Sequence, residues 1–231
     1  MPSSSPPLVA GWFLFSGRLV PGATRLLLIR HAQTDWNHQG LIQGQLDPPL
    51  NETGMAEARA VARAVRYWAE TMGQPIRVIF SSDLQRAYQT AQIVQGEVGA
   101  PLHLHQGLRE HRLGDWQGHS AQELQTTDAE AWQRWIDSGG QSRPPGGETI
   151  LEVQSRMVAT VEEIARSFVG SNVLVVSHGA SLKALLCWVL GLNLALRTHF
   201  FLANASLTSV LWHTEKAPVL EFLNGLARAE R

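Results

Sequence analysis

The stretch Arg25–Asn37, which reads RLLLIRHAQTDWN, decides the fold of this chain. Its first six residues form a short apolar run between two arginines, as is typical of a β-strand buried on both faces of a sheet. His31 follows this run directly. We therefore predict a strand over Arg25–Arg30 whose carboxyl end presents Arg30 and His31 at the rim of a sheet.

Strands and helices alternate along most of the remaining sequence. Further strands are predicted over Val78–Phe80, Leu102–Leu104 and Val173–Val176, and a terminal hairpin is predicted from Leu207–Trp212 and Val219–Leu223. Helices are predicted from Asn51 to about Glu70, over Gln85–Val98, Ala121–Ile136 and Glu148–Phe168, and from Gly179 to about Leu190. This order indicates an α/β fold: a three-layer α/β/α sandwich with a mainly parallel sheet and a small helical cap over about residues 111–146.

The length and composition are those of a globular protein. The chain has 231 residues, of which 44% are hydrophobic, so it can bury a core without disulfides or metals. We divide it into an N-terminal extension, residues 1–22, with a poorly ordered Ser/Pro-rich start, and a folded domain, residues 23–231. The N-terminus lacks the basic segment of a secretory signal, and no apolar run reaches the roughly 18 residues of a membrane span, so we expect a cytoplasmic protein without membrane contact.

Charge and cysteine content exclude several classes of function. The formal net charge is −1, so no global basic field attracts nucleic acid. Cys187 is the single cysteine, which excludes an intrachain disulfide and a zinc–thiolate cluster. It lies in an apolar run, where we expect a buried and inert thiol. The nine histidines show no metal-binding spacing, so we predict no metal site.

Three polar clusters each follow a predicted strand: Arg30-His31, Ser81–Arg86 and Ser177–Gly179. Because ligands of parallel sheets bind beyond the carboxyl ends of the strands, we expect these clusters to converge on one edge. The amides of a helix N-terminus and the guanidinium of Arg86 favour an anion there, and Gly179 permits close backbone approach. The sequence therefore predicts an anion site at this edge.

Seven segments carry a resemblance to a known family. LLLIRHAQTDWN, Gln43-Gly44, PLNETG, SSDLQRAYQTA, LREHRLGDWQG, PPGGET and VVSHG occur in the order found in the histidine phosphatase superfamily, also called the phosphoglycerate-mutase-like family. The resemblance covers about Arg25 to Leu190. Ala32 departs from it, because the commonest form has glycine at that position.

The resemblance implies a role for each residue that matches a motif. His31 would attack phosphorus and become a phosphohistidine, with Arg30, Arg86 and His178 around the phosphoryl oxygens. Glu110, which residue chemistry alone does not select, would protonate the leaving oxygen and then activate water. Thr34, Asn37, Gln43 and Gly44 match positions that line the phosphate pocket. The reaction would need no metal or other cofactor, and the partner would be a small phosphomonoester. The oligomeric state is open, with a homodimer among the alternatives.

Two other functions compete with phosphomonoester hydrolysis. Bisphosphoglycerate-dependent mutases of the same family usually carry a tyrosine and a lysine where this chain has Leu113 and Ala121, and the Gly114-x-Trp116-x-Gly118 pattern resembles the phosphatase branch instead. A non-catalytic phosphate-binding module on the same fold would have no need of Glu110. The leaving group stays open among sugar phosphates, phosphoserine, α-ribazole phosphate, nucleotides and phosphoglycerates.

Overall fold

The structure is a computed structural model that describes residues 19–226, so most of the expected N-terminal extension lies outside the described residues. Its six strands are β1 (Ala23–Arg30), β2 (Ile76–Ser81), β3 (Leu102–Leu104), β4 (Asn172–Ser177), β5 (Leu207–His213) and β6 (Val219–Gly225). Its α-helices are α1 (Asp35–Gln39), α2 (Glu52–Met72), α3 (Gln85–Val98), α4 (Ala121–Thr127), α5 (Ala129–Asp137), α6 (Ile150–Ser167) and α7 (Gly179–Val189). Short 3₁₀ turns cover Gln106–Leu108, Gly114–Trp116 and Leu194–His199.

The strands form one sheet in the order β3-β2-β4-β1-β5-β6. The first four of these strands are parallel, whereas β5 runs antiparallel to β1, and β6 antiparallel to β5. The predicted mainly parallel sheet and terminal hairpin are therefore confirmed. The parallel part places the ends of β1, β2 and β4 side by side, which is the arrangement that the polar clusters require.

Helices cover both faces of the sheet. Successive residues of a strand point to opposite faces, and in the central strands the residues on both faces are apolar. Leu26 and Leu28 pack with side chains of α6 and α7, whereas Leu27 and Ile29 pack with side chains of α2 and α3. This is the predicted three-layer sandwich. Cys187 is fully buried in α7, as expected. Within residues 19–226, no helix has the length and apolar character needed to cross a membrane.

The cap differs from the sequence prediction at one point. The single helix predicted over Ala121–Ile136 is two helices, α4 and α5, which meet at Asp128. Asp128 leaves the helical conformation, with φ −140° and ψ 46°, and its carboxylate accepts the indole N–H of Trp116 at 2.8 Å. The break lets Trp132 and Trp135 pack against Trp116, with ring centroids 5.3 and 5.8 Å away. These indoles are the core of the cap.

Candidate active site

Strand register brings the three polar clusters to one edge of the sheet. Arg30 lies opposite Ser177 in the β1–β4 pair, and Ser81 lies opposite Val176 in the β2–β4 pair. The residues that follow each strand therefore leave the sheet at the same level. The imidazole centroids of His31 and His178 are 5.1 Å apart.

The ring of His31 is fixed in one tautomer. Its Nδ1 lies 2.7 Å from the carbonyl oxygen of Ala32, and a carbonyl only accepts hydrogen bonds, so Nδ1 carries the proton. The Nε2 lone pair is then available. Burial, followed by the charges of Arg86 and Arg30, holds the pKa of His31 well below its ordinary value. The site therefore holds a neutral imidazole, which is the nucleophilic form.

His178 is the N-cap residue of α7 and is fully buried. Neither of its ring nitrogens has a hydrogen-bond partner among residues 19–226. Burial, followed by the charge of Arg86, holds the pKa of His178 well below its ordinary value. Buried polar atoms without partners are rare in folded proteins, because each costs about 1–3 kcal/mol. His178 thus has the features of a ligand-binding side chain.

Two arginines beside the imidazoles each use only part of their donor capacity. Arg86 is fully buried and donates to the carbonyl oxygens of Leu46 and Gly44 at 2.8 and 2.7 Å. Arg30 donates to the carbonyl oxygen of Leu202 at 2.6 Å. The Nε atoms of both arginines are buried without a partner in the described part of the chain. Burial lowers the pKa of Arg86 to about 10, so it stays cationic at neutral pH.

Glu110 sits against the first turn of α7. Its Oε2 accepts the backbone N–H of Ala180 at 3.1 Å, and its Oε1 accepts the backbone N–H of Ser181 at 3.0 Å and that of His111 at 2.8 Å. A carboxylate at a helix N-terminus is stabilised by these amides and by the helix dipole. Burial lowers the pKa of both Arg30 and Arg86, and the charge of Glu110 partly opposes this lowering, which places the carboxylate beside the cationic cluster.

Thr34, Asn37 and Gln43 form one hydrogen-bonded group, and Gly44 follows Gln43 directly in the chain. Thr34 caps α1 through a reciprocal pair of bonds with Asn37, and its hydroxyl donates to Gln43 Oε1 at 3.1 Å. Gly44 has φ +50°, and a Cβ there would lie 2.1 Å from Gln117 Oε1. Glycine is therefore required where the chain presents its carbonyl to Arg86.

Gly179 lies at the helix start, as expected, where a Cβ would come within 3.3 Å of Arg30 Nε. The structure thus brings all ten predicted site residues to one edge of the sheet. Their roles in binding and catalysis remain predictions.

Sequence reasoning missed the residues that hold Glu110 in place. Arg156 of α6 donates to the carbonyl oxygens of Gly107, Arg109 and Glu110 at 3.0, 2.6 and 3.0 Å. It also pairs with Glu148, whose carboxylate accepts the backbone N–H of Arg112 at 2.9 Å. The PPGGET motif contained Glu148, but no signal in the sequence pointed to Arg156.

Asn204 was missed for the same reason. Its side-chain amide donates to the carbonyl oxygen of His31 at 3.0 Å and lies 3.3 Å from Asn37 Oδ1. It joins the loop before β5 to the end of β1. Polar loop residues of this kind are common, so the sequence alone does not single one out.

The arrangement suits an anion with several oxygens next to a nucleophile. Two guanidiniums and His178 supply donors around His31 Nε2, and such preorganised donors stabilise charge that develops during phosphoryl transfer. Within residues 19–226, no group of three His, Cys, Asp or Glu side chains has the geometry of a metal site.

Residues 26–225 match the profile of the histidine phosphatase superfamily, branch 1. A putative phosphoserine phosphatase of Hydrogenobacter thermophilus is 30% identical over 90% of this chain and 98% of its own. A probable phosphoglycerate mutase of Photorhabdus laumondii is 36% identical over 80% of this chain and 84% of its own. The crystal structure of an Entamoeba histolytica phosphoserine phosphatase in complex with 3-phosphoglyceric acid superposes with a TM-score of 0.76 at 28% identity, covering 87% of this chain and 96% of that one.

Proposed function

We propose, since the chain belongs to the histidine phosphatase superfamily, that it is a phosphoric monoester hydrolase in which His31 is the covalent nucleophile. The observation that carries the proposal is the state of His31: neutral, with Nδ1 bonded to Ala32 and Nε2 left beside cationic and neutral donors. In the first step Nε2 attacks phosphorus, the phosphorus–oxygen ester bond breaks, and a phosphohistidine forms. Arg30, Arg86 and His178 bind the phosphoryl oxygens.

Glu110 completes both half-reactions. In its protonated form it gives its proton to the leaving alkoxide, so that an alcohol departs. The resulting carboxylate then takes a proton from water, whose oxygen attacks the phosphohistidine and releases inorganic phosphate. Proton and electron counts balance over the two steps, and His31 returns to its starting state.

Hydrolysis is favoured over mutase activity by the pairing of the cap cations. Arg134 and Arg143, the two arginines between Gly118 and Gly146, form ion pairs with Glu130 and Glu152. They are directed at carboxylates of the protein rather than at a second phosphate. The mutase remains the second candidate, because a relative at 36% identity carries that description.

One experiment tests both candidates. Purified protein is mixed with radiolabelled phosphomonoester and quenched, and acid-labile label on His31 is measured by peptide mapping. The wild type should carry the label, and His31→Ala should carry none. The exposed His119, which lies 3.9 Å from Glu123, gives the control His119→Ala, which should label normally. Conversion of phosphoglycerate isomers that depends on added bisphosphoglycerate and exceeds phosphate release would assign a mutase, and label elsewhere than His31 would reject the mechanism.

A further inference from the structure

Lys183 lies on α7, one turn beyond Gly179 at the start of the helix. The two residues share the helix face that is turned towards Arg30. Residues four apart lie on one face of an α-helix and are separated by roughly 6 Å along its axis. The position of a Cβ at Gly179 is 3.3 Å from Arg30 Nε. The side chain of Lys183 therefore begins about one helical turn away from a phosphate-binding arginine.

The segment that precedes β5 joins the same two cations. The Lys183 ammonium lies 5.9 Å from the centroid of the Phe200 ring, and Arg30 donates to the carbonyl oxygen of Leu202. Only one residue thus separates the contact made by Lys183 from the contact made by Arg30. Both cations face one short stretch of chain, which places Lys183 at the rim of the phosphate site.

Lys183 has no counterion in the described part of the chain. No hydrogen bond or ion pair involves its ammonium there, although the side chain is partly buried. Burial, followed by the charges of Arg30 and Arg197, lowers its pKa. Arg197 is itself buried and donates to the carbonyl oxygens of Gly139 and Leu194. The charge of Glu110 opposes this lowering of the Lys183 pKa, so three cations, Lys183, Arg30 and Arg197, are opposed by one carboxylate. Positive charge thus exceeds negative charge at this rim, and an anion from outside the protein would restore the balance.

We infer that Lys183 binds a carboxylate of the substrate, so that the enzyme selects phosphomonoesters with a carboxylate two or three carbons from the ester oxygen. This inference rests on the proposed hydrolase function and names its substrate class. Lys183 supplies one compact positive charge, which matches a monoanion, whereas a second phosphate is better matched by guanidinium forks. The backbone amides at the start of α7 already donate to Glu110, so they are not free to bind a substrate carboxylate. The ammonium of Lys183 is the group that we assign to this carboxylate.

The test compares two substrates that differ by the carboxylate alone. O-phosphoserine and O-phosphoethanolamine share the phosphate ester and the ammonium group. The measured quantity is the ratio of their kcat/KM values in wild type, Lys183→Met and Lys183→Arg. Methionine keeps the length of the stem that packs on Phe200 and removes the charge. Lys216, an exposed lysine in the turn before β6, gives the matched control Lys216→Met.

Wild type should prefer O-phosphoserine by roughly 10- to 100-fold, the range of one charge-assisted bond. Lys183→Met should lose most of that preference, Lys183→Arg should keep part of it, and Lys216→Met should keep all of it. A ratio near one in wild type, or a ratio that Lys183→Met leaves unchanged, would overturn the inference. Thermal unfolding of each variant separates a specific effect from loss of the fold.

A binding measurement keeps this inference separate from the proposed function. Titration calorimetry of both phosphoesters into His31→Ala, with and without Lys183→Met, requires no turnover. Tighter binding of O-phosphoserine that depends on Lys183 would support the inference. If the wild type hydrolysed no phosphoester, that result would reject the hydrolase function but not the carboxylate site. Equal binding of the two esters would reject the carboxylate site.

Discussion

Ser181 holds the segment that carries Glu110 through two groups: its backbone N–H donates to Glu110 Oε1 at 3.0 Å, and its hydroxyl donates to the carbonyl oxygen of Arg109 at 2.8 Å and lies 3.1 Å from the same Oε1. Ser181 belongs to the first turn of α7, whose N-cap residue is His178. The proposed acid–base group and a proposed phosphate-binding imidazole are therefore positioned by the same helix start. A shift of that helix would move both groups together relative to His31.

Glu110→Gln should lower turnover of alkyl phosphates by roughly 10²–10⁴-fold, the usual contribution of a positioned acid or base. The amide keeps the shape but neither donates nor accepts the proton in the same way. With p-nitrophenyl phosphate, whose leaving group needs little protonation, the phosphorylation step should slow less. Stopped-flow measurement should therefore show a burst of nitrophenol followed by accumulated phosphohistidine.

Asp83→Asn gives the matched control for Glu110→Gln. Both carboxylate oxygens of Asp83 are bound by Arg109, so it is not poised for proton transfer, and turnover should stay within a few-fold of wild type. Equal rates for wild type and Glu110→Gln on both substrates would transfer the acid–base role to another group, with the exposed Asp115 as the next candidate.

Arg156→Met should lower kcat more than it raises KM, because Arg156 positions the segment that carries Glu110 without lining the phosphate site. It removes one donor each from the carbonyl oxygens of Gly107, Arg109 and Glu110 and breaks the ion pair with Glu148, so the free energy of unfolding should also fall by roughly 3 kcal/mol. Arg156→Lys should restore part of kcat and part of the free energy of unfolding. Arg166 lies on the same helix in an exposed pair with Glu162, and Arg166→Met should change neither. An increase in KM at constant kcat would contradict a positioning role.

Stability should fall as the pH is lowered through 6.5. The pKa values of His31 and His178 lie well below this ordinary value in the folded protein, so protons bind to both residues in the unfolded chain first. Each histidine then lowers the free energy of unfolding by about 1.4 kcal/mol for each pH unit below 6.5, until the pH reaches the pKa of that histidine in the folded protein. Urea unfolding at several pH values measures this slope. His178→Asn should reduce the slope relative to wild type, and identical slopes would show that the folded protein protonates His178 normally.

Gly44→Ala should impair catalysis through a steric clash. The new Cβ would lie 2.1 Å from Gln117 Oε1 in a backbone conformation with φ +50°, which displaces the carbonyl that binds Arg86. Gly99 has φ +69° with nothing within 4 Å of a Cβ, so Gly99→Ala measures the backbone cost alone, about 1 kcal/mol. Turnover by Gly44→Ala should fall at least tenfold while Gly99→Ala stays active. Equal activity of the two variants would show that the Gly44 loop does not position Arg86.

Turnover should survive dialysis against EDTA. In the proposed mechanism the charges of Arg30 and Arg86 and the N–H of His178 take the place of the metal ions that other phosphatases use. A zinc-dependent phosphatase treated in parallel serves as the positive control for chelation. Loss of activity that is restored by a divalent ion would require a different mechanism.

The sequence predicted the layers of the fold and most of the site because both depend on local patterns. Apolar runs of four to six residues marked the strands, and polar residues directly after three of them marked the edge where Arg30, Arg86 and His178 meet. These signals need no knowledge of distant parts of the chain.

The break at Asp128 could not be predicted in this way. Residues 121–136 have the pattern of one amphipathic helix, but the indole of Trp116 offers Asp128 a hydrogen bond outside it. That bond and the packing of three indoles outweigh the weak local preference for a continuous helix. Glu110 was selected by resemblance, since one acid among several carries no local mark.

What the sequence by itself determined is the order of elements and the strand ends that carry the proposed nucleophile and the proposed phosphate-binding groups. Only the tertiary structure decided which residues support them, because these contacts join distant positions: Arg156 to Glu110 across 46 residues and Asn204 to His31 across 173. The unpaired charge of Lys183 likewise became visible only when α7 packed beside the chain that precedes β5. A hydrogen bond or an ion pair depends on the distance between two groups in space. For residues on different strands and helices, the number of residues between them does not determine that distance.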